Sequence, residues 1–168
     1  MNTPISDITS LVERIRVLEA ESAIRLLLSR YMSLCDVPGP AERADALAQL
    51  FCGDAVWQGV GSRYAVKFGR IEGREAIVAM LMGYLPPNPH FQFNSHFLTG
   101  DQISVDGQQA KGRWLMQQLS RYDSGQSESI VAVLSLEFLW EAGSWRISSF
   151  TTERLDACRL ADTQGAPS

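Results

Sequence analysis

Tyr31, Asp36 and His96 are the residues of this sequence whose types and positions suggest chemistry. Tyr31 and Asp36 close a long apolar-periodic run, just ahead of Val37-Pro38-Gly39-Pro40. His96 is one of 2 histidines in the chain. A neutral imidazole has one donor and one acceptor nitrogen. If Asp36 accepts a hydrogen bond from one nitrogen, it fixes the tautomer and leaves the other free as a base. Tyr31 could then offer its hydroxyl to an oxygen on a substrate. Such a set suits proton abstraction next to an activating group.

Each residue also has a plain structural reading. Asp36 could sit exposed in an Asx-type turn. His96 could be a structural histidine with both nitrogens satisfied. Tyr31 could be core packing with its hydroxyl bonded to backbone. Five residues separate Tyr31 from Asp36, about 140° on an ideal helix. Both therefore reach one pocket only if the chain turns near Cys35, which Pro38 favours.

Other residues are weaker candidates. Arg154, beside Glu153 in the last strand, is either a pocket-rim cation or a surface ion pair of little worth. Trp57, Trp114, Trp140 and Trp145 read first as core, with Trp114 alternatively a flat pocket wall. His90, in a proline-rich loop, is expected to face solvent. The chain has 3 cysteines without C-x-x-C spacing, so neither a disulfide framework nor a zinc site is expected. There is no Walker loop, no G-x-G-x-x-G after a strand and no G-x-S-x-G elbow.

The elements that must position these residues follow from patterning. Ser6 or Asp7 can cap a helix whose apolar stripe runs Ile8, Leu11, Ile15, Leu18. The stripe then shifts to Ile24, Leu27, Leu28, Tyr31 and Leu34, implying a bent helix or two helices meeting near Ala20–Ser22. A second helix is expected over 41–51 and a third over 74–85. Short strands are expected at 55–58 and 63–68, joined by a Gly59-Val60-Gly61 turn. Four long strands follow, over 91–105, 108–122, 128–141 and 144–156. They are separated by Asp106-Gly107, a strong hairpin signal, by 123–126 and by Ala142-Gly143. On the first of them, His96 shares a face with Asn94, opposite Phe93 and Phe97.

Helices followed by a strand meander indicate an α+β domain. Three helices over the concave face of a curling sheet would make a cone with a pocket inside. The 168 residues suggest one domain, 1–160, with residues 161–168 a mobile tail. The net charge of −4 and scattered cations argue against a nucleic-acid partner. No run approaches the roughly 20 apolar residues of a membrane span. No apolar signal segment opens the chain, so a cytoplasmic protein is expected.

An ordered set of fragments resembles the SnoaL-like branch of the nuclear transport factor 2 (NTF2-like) superfamily. The set comprises Leu18-Glu19, Ala23-Ile24, Tyr31-x4-Asp36, Leu50-Phe51, Asp54-Ala55-Val56-Trp57, Gly73-Arg74-Glu75-Ala76-Ile77, His96, Ile103-Ser104-Val105-Asp106-Gly107, Ala110, Gly112-Arg113-Trp114 and Trp145. Within that branch it is similar to the bile-acid 7α-dehydratase, scytalone dehydratase and hexachlorocyclohexane dehydrochlorinase group. The resemblance implies a cone-shaped barrel with N-terminal helices packed on a strongly curved, mostly antiparallel sheet. It places Tyr31, Asp36 and His96 on the family's tyrosine and aspartate–histidine dyad. Arg154 falls on an arginine near the end of the bile-acid enzyme. Gln118 stands where that enzyme carries an aspartate, and a glutamine cannot exchange a proton.

The expected function is a cofactor-independent, metal-free lyase or double-bond isomerase. Its substrate would be apolar and cyclic, such as a steroid, terpenoid or polyketide. His96, oriented by Asp36, would be the base. Tyr31 and Arg154 would stabilise an oxyanion, and Trp114, Gln118 and Trp57 would shape the substrate site. The alternative is a non-catalytic ligand-binding or scaffold domain, such as a ring-hydroxylating dioxygenase β subunit. The resemblance further implies a homo-oligomer, a trimer before a dimer, with Leu134, Leu136 and Phe138 on the convex sheet face as its interface.

Overall fold

The computed structural model describes residues 4–161, so the expected tail lies outside the described residues beyond residue 161. Helix α1 runs Pro4–Cys35 without a break, and proline is well suited to the first turn of a helix. It already includes positions 6 and 7, so neither Ser6 nor Asp7 is a cap. The shift in its apolar stripe is a change of face on one helix, not a junction between two. Pro38 and Pro40 follow closely on its end.

Helix α2 is short, Ala44–Ala48. The expected continuation to residue 51 is lost to the sheet: Phe51 pairs with Ile147, and Ile147 N–H donates to Leu50 O at 2.8 Å. Strand β1 therefore spans Phe51–Val60. The expected strand at 63–68 is instead helix α3, Gly61–Lys67. The short run after the Gly59-Val60-Gly61 turn is compatible with either period. At helical spacing, Tyr64 and Phe68 meet edge-to-face at 5.0 Å while Val66 points to solvent. Strand β2 (Arg70–Glu72) and helix α4 (Arg74–Met82) complete this half.

The long strands are β3 Phe91–Asp106, β4 Gln109–Tyr122, β5 Ser127–Glu141 and β6 Ser144–Leu160. The β5–β6 turn has positive φ at both Ala142 and Gly143, as a type I′ turn requires. The six strands form one sheet in the order β2-β1-β6-β5-β4-β3. Only β1–β6 is parallel. Register shifts at Thr99/Gln102, Val131/Ala132 and Glu137/Phe138 add twist to strands too long to stay flat.

The core lies between the concave face and the helices. Ile24, Leu28 and Tyr31 of α1 and Ile77 of α4 are buried together with Phe51, Ile147 and Phe150 of the sheet. Leu134, Leu136 and Phe138 are also almost fully buried here. They face inward, so they do not form an outer interface; Ser135 and Glu137 take the outward positions. Among the described residues no helix is long and apolar enough to cross a membrane.

Candidate functional site

α1 ends at Cys35, and Asp36 occupies the bend that follows. Val37 then pairs with Asn94 of β3 through two main-chain hydrogen bonds of 2.8 and 2.9 Å. That bridge pins the end of the helix to the strand two residues before His96. A carboxylate at a helix C-terminus meets the negative end of the macrodipole. Arg43 relieves this. Its buried guanidinium donates to Leu34 O at 3.2 Å, Asp36 O at 3.0 Å and Pro40 O at 2.7 Å.

The Asp36 carboxylate turns to His96. Its Oδ1 accepts from the His96 main-chain N–H at 3.0 Å and from Nδ1 at 2.8 Å. An ionised carboxylate only accepts, so in the neutral imidazole this contact puts the proton on Nδ1 and leaves Nε2 a lone pair. The His96 side chain is 10% exposed. It forms part of the wall of a cavity of about 120 Å³ inside the cone. Asp36 lines a surface groove with Ser33, Thr99 and Trp114, and Met32 and His96 border both that groove and the cavity.

Tyr31, Trp57 and Gln118 line the same cavity as His96. Tyr31 accepts a hydrogen bond from Trp57 Nε1 at 3.3 Å, and its ring packs against Phe51 and Phe150. Burial raises its pKa well above the ordinary tyrosine value, so the hydroxyl stays protonated. Cys35, which also lines the cavity, is pushed up to about 12 by burial and is a thiol at neutral pH.

Gln118 lies directly across from His96 in the β3–β4 register. Its amide donates to Asn94 Oδ1 at 2.8 Å and to Ser120 Oγ at 3.0 Å, while Ser120 Oγ donates to Asn94 Oδ1 at 2.8 Å. With both N–H groups committed, the carbonyl oxygen is the function Gln118 can offer a ligand. Asn94 also donates to Cys35 O at 3.3 Å, tying this network to the end of α1.

Two expected site residues stand elsewhere. Arg154 does not line the cavity; it pairs with Glu128 at 3.2 Å, and Glu128 also accepts from Tyr122 at 3.0 Å. The β5–β6 register sets Arg154 opposite Ala132, and its charge acts on Tyr64 and Lys67 at the Lys67 end of the cavity. Trp114 is buried against Phe138 and its ring lies over Gly112, so it borders the Asp36 groove and not the cavity.

His90 reverses its expected position. It lines the cavity, wedged edge-to-face among Tyr84, Phe91 and Tyr122, with Nε2 buried. Lys67 joins it at the same end, its ammonium 4.9 Å from the Phe68 ring centre and 5.6 Å from that of Tyr84. Burial lowers the pKa of both below the ordinary values, and the Lys67 charge adds to the effect on His90. Arg43, Asn94, Ser120 and Lys67 were not found by sequence reasoning. Only Asn94 carried a signal, its shared face with His96.

A family model for the SnoaL-like domain matches residues 16–151. Among solved structures the chain is similar to a hexachlorocyclohexane dehydrochlorinase (LinA type 2). That match has 23% identity and TM-score 0.73 and covers 89% of this chain and 95% of that one. A scytalone dehydratase-like protein from Novosphingobium aromaticivorans matches at 18% identity and TM-score 0.70, covering 92% of each chain. An NTF2-like protein from the same organism matches at 27% identity and TM-score 0.70, covering 90% of this chain and 92% of that one. No curated protein matches. With the model match spanning most of the chain, and the helix-over-curved-sheet architecture the neighbours share, the protein belongs to the SnoaL-like family and has the NTF2-like fold.

Proposed function

We propose that the protein is a cofactor-independent lyase or isomerase acting on a small, largely apolar cyclic substrate. The observation that carries this reading is the 2.8 Å contact between His96 Nδ1 and Asp36 Oδ1, with the imidazole in the wall of the cavity inside the cone. In this reading His96 Nε2 takes a proton from a carbon next to a carbonyl or other activating group. The C–H electron pair moves into a new double bond. The imidazolium returns the proton, either to a departing hydroxyl, giving water, or to another carbon, giving a shifted double bond. The Tyr31 hydroxyl, whose neighbour Cys35 is a weak acceptor, turns to the developing oxyanion. Gln118 orients a hydroxyl or amide donor of the substrate through its carbonyl. Arg154 has no part in these steps.

The size of the cavity narrows the substrate. An apolar cavity of about 150 Å³ holds benzene; this one, about 120 Å³, is slightly smaller, so a single ring is the largest substrate it takes, and only with a small yielding of its walls. A steroid would have to displace wall residues such as Phe68 or Tyr84. A scaffold domain has no use for a histidine held by a carboxylate in a cavity wall, so the enzyme reading is preferred.

The test is solvent deuterium exchange. Wild-type protein is incubated in D₂O with a series of single-ring ketones, and exchange next to the carbonyl is followed by NMR. Exchange is expected for at least one member and lost in His96→Ala. Exchange that persists in His96→Ala, or none across the series, overturns the reading.

A further inference from the structure

α1 has two apolar faces. Its C-terminal half buries Ile24, Leu27, Leu28 and Tyr31 in the domain. Its N-terminal half leaves Ile8 60%, Leu11 52%, Ile15 53% and Leu18 62% exposed. At about 100° per residue the two sets are centred about 170° apart on one continuous helix. The N-terminal stripe therefore points away from the body of its own chain. Glu13 and Arg16, on the opposite side of that half, are polar and pair with each other.

Four well-exposed aliphatic residues in one line mark a contact surface. Their spacing is 3, 4, 3, the seam of a coiled coil, narrower than the stripe of a helix packed on a core. Ile8 and Ile15 occupy the first seam position of successive heptads, and Leu11 and Leu18 the fourth. Isoleucine at the first and leucine at the fourth favour two parallel strands.

The flanking charges favour the same arrangement. Arg14 precedes Ile15, and Glu19 follows Leu18. In a parallel, in-register pair, Arg14 of each copy faces Glu19 of the other. An antiparallel pair would instead bring Arg14 to its own counterpart and Asp7 to Glu21. Among the described residues neither Arg14 nor Glu19 takes part in an ion pair within the chain.

We infer that the exposed stripe of α1 is the seam of a parallel two-stranded coiled coil with a second copy of this chain. Two heptads are short for an isolated coil. Here each helix is already ordered by the packing of its C-terminal half, so little entropy remains to be lost on pairing. The buried face of α1 lies opposite the seam, while β3 flanks the seam side of its C-terminal half through the Arg25–Asp101 pair at 2.7 Å, so the helix pair is confined to the N-terminal half that projects beyond the body.

The test uses the full chain in sedimentation equilibrium at micromolar concentration. The expected mass is twice 18.6 kDa. Leu11→Glu with Leu18→Glu is expected to give a monomer with unchanged far-UV circular dichroism, since both positions are exposed. Arg14→Glu alone and Glu19→Arg alone each weaken the dimer several-fold, and the two together restore it. Orientation is read from Leu11→Cys in a Cys158→Ser background, where a parallel seam sets residue 11 against itself and gives a disulfide-linked dimer on mild oxidation. A monomeric wild type, an oligomer untouched by the two glutamates, failure of the charge swap to restore pairing, or a dimer that does not cross-link at residue 11 overturns the inference.

Discussion

Arg43 and Asp36 are joined through the main chain: the guanidinium donates to the Asp36 carbonyl oxygen at 3.0 Å while the Asp36 carboxylate is turned to His96. The cation meets the negative end of α1 and leaves the carboxylate free to orient the imidazole. Replacing Arg43 with methionine leaves three carbonyls without this donor. The expected loss is about 3 kcal/mol or more in urea-unfolding experiments, accompanied by loosening of the Asp36–His96 contact.

That contact fixes a tautomer, and the tautomer is measurable without a substrate. At a pH where the imidazole is neutral, ¹⁵N NMR of wild-type protein is expected to find the His96 proton on Nδ1. Asp36→Ala removes the acceptor, and the proton is expected to redistribute toward Nε2. On any substrate that the exchange assay identifies, His96→Ala is expected to lower turnover by about 10² to 10⁴. A wild-type Nε2–H tautomer would contradict the assigned geometry.

Thiol reactivity separates buried cysteines from exposed ones. Burial pushes Cys35 and Cys52 up to about 12, while Cys158 is exposed. At pH 8 only about one in ten thousand of a thiol with that pKa is thiolate, the nucleophilic form. A disulfide reagent is expected to titrate one thiol rapidly in the native protein and all 3 cysteines after unfolding. Rapid native labelling of Cys35 would show that the cavity is open.

His90 makes the fold sensitive to acid. Burial first, and then the Lys67 ammonium, lower its pKa below 6.5, with Asp123 opposing them. The unfolded chain therefore takes up this proton before the folded one does. The contribution is complete above pH 6.5 and is lost as pH falls from there through the folded pKa. His90→Phe keeps the packing with Tyr84, Phe91 and Tyr122 and removes the proton. Its unfolding free energy is expected to fall less steeply below pH 6.5 than that of wild type.

What could be read in the chain was local. The long first helix, the four long strands of the second half, the proline stop after Asp36 and the shared face of Asn94 and His96 all follow from periods of 3.6 and 2 and from turn chemistry. They fixed where Tyr31, Asp36 and His96 sit along their elements, and the family pattern proposed that they meet. Local pattern misled where one residue set satisfies two periods, as at Tyr64, Val66 and Phe68, which alternate like a strand and pack like a helix.

The rest depended on contacts between residues far apart in sequence. Sheet order and register set Gln118 across from His96 and carried Arg154 off to Glu128. The fold of the 86–90 segment drew His90 in among aromatic rings instead of leaving it in water. Arg43 became a helix cap because the chain doubles back after Pro40. Sequence alone marked the shift of the apolar stripe on α1. Only the tertiary structure, by burying one face of an unbroken helix, decided that the other faces away from its own core.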